Sequence, residues 1–92
     1  MDIKHQEFEQ NGTFLAMSEE TEAGRMTYSW RNRDRIVINH TEVQTQFQGK
    51  NIGKQLVMAA VDFAREKNIK IVPQCSFARG VFDKDQSIKD VL

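Results

Sequence analysis

Along the first half of the chain, apolar positions recur at every second residue. Between Gly24 and Arg31, Met26, Tyr28 and Trp30 fall on one face and Arg25, Thr27, Ser29 and Arg31 on the other. That is the alternation of a half-buried strand. Ile3 to Gln10 and Thr13 to Ser18 read as two further strands, parted by Asn11-Gly12, a pair that tolerates positive φ and favours a two-residue hairpin turn. Asn32 to Asp34 make another polar turn. Arg35 to Val43 is rich in β-branched residues and reads as a fourth strand. Four consecutive strands with short loops predict an antiparallel meander.

The period changes at residue 52. Ile52, Leu56, Ala59, Ala60, Phe63 and Ala64 recur at spacings of three and four, which predicts a helix with one apolar stripe. It runs to about Lys67, with Asn68 as its C-cap. Ile69 to Gln74 reads as a short fifth strand carrying the only proline, Pro73. Proline cannot donate to a ladder, so the sheet is expected to open or end there. Phe77 to Phe82 suggests a short helix, and Ser87 a cap for a last turn from Ile88 to Leu92. The order ββββ-α-β-α predicts an α+β (mixed α/β) fold: a four-strand meander, a central helix and a splayed fifth strand. The fourth and fifth strands are candidates for a parallel, right-handed crossover.

Ninety-two residues, 39% hydrophobic and 28% charged, suit one globular domain spanning 1–92. Thirteen basic side chains balance thirteen acidic ones, which argues against a nucleic-acid binder working by bulk electrostatics. The halves differ. Residues 1–46 hold five Lys/Arg against eight Asp/Glu, a balance of −3, and residues 47–92 hold eight against five, a balance of +3. An anion would be received in the second half. One cysteine and two histidines leave no ligand set for zinc, so no metal is expected. The longest apolar run, Leu56 to Val61, is six residues, far below the ~20 of a membrane helix. With no apolar stretch after Met1, the expectation is a cytoplasmic protein without a membrane partner.

The junction Val43-Gln44-Thr45-Gln46-Phe47-Gln48-Gly49-Lys50-Asn51-Ile52-Gly53-Lys54 places two glycines, an asparagine and two lysines before a helix N-terminus. Such a turn aims several backbone N–H groups at one spot, where the helix dipole adds positive charge. It is a pyrophosphate site in outline, although a glycine turn with solvated lysines has the same composition. It is neither a Walker A loop nor a dinucleotide fingerprint.

The stretch resembles the cofactor loop of the GCN5-related N-acetyltransferases, Arg/Gln-x-x-Gly-x-Gly/Ala, with Gln48, Gly49, Lys50, Asn51, Ile52 and Gly53 in frame. Asn51 replaces the middle glycine, a substitution that still visits the left-handed region. Val43 and Phe47 fall where that family has a valine and an aromatic. Beyond the next strand, Cys75 and Phe82 stand where many members have asparagine and the tyrosine that protonates the departing CoA thiolate. A short subgroup of these proteins is a closer match. It carries His-Thr-Glu-Val before the loop and Pro-x-Cys-x-Phe-Ala after the helix, here His40 to Val43 and Pro73 to Ala78.

The resemblance implies an acetyl-CoA-dependent N-acetyltransferase, with acetyl-CoA as co-substrate and an unidentified amine as acceptor; a short chain with an open site suits a protein or peptide amine. Val43 and Gln48 to Lys54 would bind CoA, and in the subgroup Cys75 is the suspected catalytic residue. Cys75 could donate a proton to the leaving thiolate, attack the thioester itself, or be a small core residue. His40 shares a strand face with Glu42. It could serve as general base, hold the Cys75 thiolate, or bond to sheet backbone. Glu42 could attract the acceptor or stand exposed. Met26, Tyr28 and Trp30 read as core rather than acceptor-site wall. The missing tyrosine keeps a second reading open, a CoA or acyl-CoA binding module with little or no transferase activity.

Overall fold

A computed structural model describes residues 2–92. Strands β1 (Asp2–Glu7), β2 (Asn11–Ser18), β3 (Thr21–Asn32) and β4 (Arg35–Val43) form an antiparallel meander. Helix α1 (Ile52–Lys67) crosses back, and β5 (Lys70–Pro73) joins the edge parallel to β4. Helix α2 (Ser76–Lys84) and a 3-10 turn (Gln86–Val91) end the chain, and the sheet order is simply β1 to β5.

The core lies between one face of the sheet and α1. Phe14, Ala16, Met26, Tyr28, Ile36, Ile38 and Ile71 from the strands meet Leu56, Val57, Ala60, Val61 and Ala64 from the helix. The helical stripe is wider than predicted, since Val57 and Val61 are fully buried while Ala59 is only half-buried. A helix laid across a twisted sheet buries a broad stripe rather than a narrow coiled-coil seam. Asn68 ends α1 in the left-handed region at φ 58, its N–H reaching the Ala64 and Arg65 carbonyls.

Met26 and Tyr28 are core, as their alternation predicted, and Trp30 packs against it half-buried. The Tyr28 hydroxyl donates to Glu7 at 3.0 Å, and Trp30 Nε1 donates to the same carboxylate oxygen at 2.8 Å. The tyrosine proton being so used, His5 Nε2, 2.6 Å from the phenol oxygen, is the donor of that pair. Burial, with the Glu7 carboxylate beside it, pushes the Tyr28 phenol above its ordinary range. Burial against the Phe14 and Phe63 rings holds His5 below its ordinary value, partly opposed by Glu7.

Two local expectations are corrected. Asn11-Gly12 is not the hairpin turn; both residues belong to β2, Glu7 pairs with Gly12, and Phe8 to Gln10 make the loop. Gly12 is a close-approach glycine, because a Cβ there would stand 2.7 Å from Cε2 of the Tyr28 ring. The last turn begins earlier than Ser87. Asp85 caps it, accepting from the Ser87 amide at 2.9 Å and hydroxyl at 2.6 Å. Arg65 then holds the turn from α1 through Asp90 and the Ser87 carbonyl, each at 2.8 Å.

The sheet opens at Pro73. β5 pairs with β4 only from Arg35 to Ile38, and the amides of both Gln74 and Cys75 then fall on the Ile38 carbonyl at 3.1 Å. Beyond that point, residues 39–43 of β4 have no ladder partner on that side among the described residues. Opposite, the β3–β4 register steps from Thr27↔His40 to Tyr28↔Ile38, so Asn39 is an extra, bulged residue.

Candidate functional site

The bulge decides which side chains face the opening. An unbroken alternation from Ile36 and Ile38 would carry His40 and Glu42 inward. With Asn39 inserted, Thr41 and Val43 turn toward the helices, and His40 and Glu42 are exposed on the open face. Thr41 Oγ1 lies 3.4 Å from Cys75 Sγ. Of the places the sequence left open for His40, a position beside the thiol is not the one observed; it pairs across the strand with Thr27, as Glu42 does with Arg25.

Past Val43 the chain makes a 3-10 turn (Thr45–Phe47) and enters α1 through the glycine loop. Gly49 has φ 85, and Asn51, the N-cap residue, has φ 60 and ψ 26, the left-handed conformation that its stand-in for glycine required. No side chain caps α1, and the first amide bonded back is that of Gln55, to the Asn51 carbonyl at 3.0 Å. The amides of Ile52, Gly53 and Lys54 therefore have no intrahelical acceptor. They point to the end of the helix, where the dipole amounts to about half a positive charge.

A pocket of about 390 Å³ lies against these amides. Val43, Gln48, Gly49, Asn51, Ile52, Gly53 and Lys54, all singled out in the sequence, line it together with Thr41, Phe47 and Phe77. Lys50 does not; its ammonium sits 5.8 Å from the centre of the Phe47 ring. The size suits a ligand site, and the lining mixes apolar side chains with a few polar groups. Thr41 was readable in principle, since the alternation that selects Val43 also selects Thr41. Phe77 was not. It stands on α2, and its exposed ring leans over the first turn of α1, so that a Cβ on Gly53 would lie 2.6 Å from Cε2 of that ring. A broader, shallow concavity at the β1–β2 turn, lined by Glu7 to Asn11 and Trp30, lies toward the other end of the sheet and holds no thiol or cation.

Cys75 sits where the opened strand turns into a helix. It is the N-cap residue of α2, half-buried, with Sγ accepting from the Ala78 amide at 3.4 Å. Phe82 is 1% exposed, packed in the core rather than directed into the pocket. Phe82→Tyr is accordingly expected to cost about 1–3 kcal/mol in denaturant unfolding, because it buries a hydroxyl without a partner. A stable variant with raised activity would contradict that placement. Among the described residues no cluster of metal-ligating side chains occurs, and no helix is long and apolar enough to cross a membrane.

An uncapped helix N-terminus thus opens beside a parted sheet, with a thiol close by, and comparison with known proteins gives the family. Residues 13–91 match the model of a GCN5-related N-acetyltransferase family, and the chain belongs to that family. A GCN5-like protein from Staphylococcus aureus, solved in solution by NMR, is 34% identical and superposes with a TM-score of 0.74, covering 96% of this chain and 85% of that one. Protein NATD1 of Xenopus tropicalis is 34% identical over 50 residues, 54% of this chain and 46% of its own length. The chain thus matches about half the length of that curated relative. A GNAT family acetyltransferase from Elizabethkingia anophelis, solved with acetyl-CoA bound, shares the fold at 20% identity and a TM-score of 0.64, over 82% of this chain and 52% of that one.

Proposed function

We propose that the chain moves acetyl from acetyl-CoA to an amine, on a protein or peptide. The observation that carries this reading is a coincidence of place. The free amides of α1 and the bare stretch of β4 border one pocket, and the Cys75 thiol, outside its lining, touches the lining residue Thr41 at 3.4 Å. Pyrophosphate suits the amides of Ile52 to Lys54 and the loop of Gln48, Gly49 and Asn51. The amide-bearing pantetheine arm suits the freed backbone of residues 39–43. Lys50 and Lys54 add charge at the rim. On the open face the acceptor amine meets His40 and Glu42, of which His40 takes the proton from nitrogen. The nitrogen attacks the thioester carbonyl, the C–S bond breaks, and the CoA thiolate takes a proton from Cys75. The alternative order has the Cys75 thiolate attack first and pass acetyl to the amine. His40 and Glu42 are exposed there, as an acceptor presented by another chain requires.

A CoA-binding module is the second reading, favoured by the burial of Phe82 and by the absence of His40 and Cys75 from the pocket lining. One experiment separates them. Acetyl-CoA at a hundredfold excess over Kd is expected to stabilise the fold by about 2.7 kcal/mol, a rise in Tm of roughly 10–20 °C. A panel of amines and peptides, followed by free-thiol release, then reports transfer. Stabilisation without thiol release supports the module, and no stabilisation at millimolar acetyl-CoA removes both readings.

A further inference from the structure

The end of the sheet away from the glycine loop carries two neighbouring turns of opposite charge. The β3–β4 hairpin reads Arg31-Asn32-Arg33-Asp34-Arg35 and holds three of the five Lys/Arg of residues 1–46. All three arginines are exposed, and among the described residues none of them forms an ion pair. The β1–β2 turn beside it begins Glu7-Phe8-Glu9. Phe8 is 60% exposed, more than any other large apolar side chain among the described residues. The two turns also end at different heights. β2 and β3 pair as far as Asn11↔Ser29, and the Trp30 amide then donates to the Gln10 carbonyl at 2.9 Å. Past that bond the hairpin projects beyond the β1–β2 turn and leaves a notch, the shallow concavity of Glu7 to Asn11 and Trp30. The projection is held in shape from within and from one side. Asn32 Oδ1 accepts from the Asp34 amide at 2.8 Å, and the Asp34 carbonyl accepts from the Lys70 amide of β5, also at 2.8 Å.

A basic projection beside an acidic notch is complementary to its own copy. We propose that two copies of this chain associate about a two-fold axis at this end, each hairpin seated in the other's notch. A closed two-fold contact requires a patch that matches itself, and this one does so in shape and in charge. Arg33 of each copy then faces Glu9 of the other, so the pair of charges is made twice. Phe8 leaves water at the contact, which accounts for an exposed ring on an otherwise polar turn. Glu7 already accepts from Tyr28 and Trp30 and stays in the floor of the notch. A partner of a single charge sign would be repelled by half of this surface, whereas a second copy matches both halves. The glycine loop and Cys75 lie toward the other end of the sheet and remain open in the pair.

The test is analytical sedimentation of the full chain over a concentration series at low and high salt. Wild type is expected to dimerise reversibly, with a Kd roughly 10-fold higher in high salt, because exposed charge pairs are screened. Glu9→Arg and Arg33→Glu should each abolish the dimer. Both residues are exposed, so the Tm of dilute protein should stay at the wild-type value, which separates lost association from lost folding. Mixed in equal amounts, the two variants should dimerise again, since both two-fold-related contacts then join an arginine to a glutamate. Phe8→Ser should raise the Kd by about 10-fold or more, as loss of an aromatic anchor does. A wild type that stays monomeric to millimolar concentration overturns the proposal, as does a dimer that either single variant retains. Monomeric variants that fail to recover in the mixture overturn the two-fold arrangement. An acidic peptide that binds monomeric wild type but not Arg33→Glu would give the hairpin to a different partner and overturn the proposal too.

Discussion

Cys75→Ala is expected to slow acetyl transfer by roughly 10²–10⁴-fold while CoA affinity stays close to wild type, that factor being the usual worth of positioned acid–base assistance. The geometry makes the two readouts separable. The thiol stands at the start of α2, 3.4 Å from Thr41, and the amides of the glycine loop belong to α1. Alanine also removes the acceptor of the Ala78 amide and so destabilises the first turn of α2. Cys75→Ser keeps an acceptor there and is the cleaner probe: it should fold, bind CoA and transfer slowly. Mass spectrometry of wild type mixed with acetyl-CoA alone then assigns the role. An acetyl adduct on Cys75 that an amine discharges indicates covalent catalysis, and turnover without adduct indicates proton donation. Wild-type rates in both variants would reduce the residue to packing and remove the proposed chemistry.

Gly49→Val is expected to weaken CoA binding by about 1–3 kcal/mol, the cost of forcing a β-branched residue toward positive φ. At φ 85 the native loop is closed to valine, yet nothing stands within 4 Å of the added Cβ. The strain belongs to the loop backbone itself, so the Tm of the free protein should fall along with CoA affinity. Lys54→Ala should cost only about 0.3–1 kcal/mol, as exposed charge at a helix terminus does. Asn51→Gly keeps the left-handed conformation available and should bind normally. Calorimetry showing Lys54→Ala to be the more damaging change would replace the amide cradle with simple charge attraction.

The elements whose cause is local were readable from the chain. Period two and period three-to-four mark β3 and α1, Asn68 closes α1 in the left-handed region, and Pro73 stands where the ladder ends. The loop was readable too, because positive φ has so few residues to choose from. The failures depend on tertiary contact. Asn11-Gly12 has turn chemistry, but the Tyr28 ring claims the space over Gly12 and the turn moves back toward Phe8. Ser87 looks like a cap until Asp85 takes its amide. Phe77 reaches the pocket only because α2 folds back beside α1. The side to which His40 turns was left open for a different reason: nothing in Arg35 to Val43 announces where the extra residue enters.

That extra residue sets the phase of everything between Ile38 and the glycine loop. The pairing there carries information that the letters do not. A chain lacking both Asn39 and the bulge would keep the present phase, with the histidine and glutamate outward and the threonine and valine toward the helices. The same residues paired without a bulge would invert it and present His40 and Glu42 to the thiol. Relatives compared at this site therefore need matched strand pairing beyond the core residue Ile38 as well as matched letters. The same motif in the other phase would be a different site.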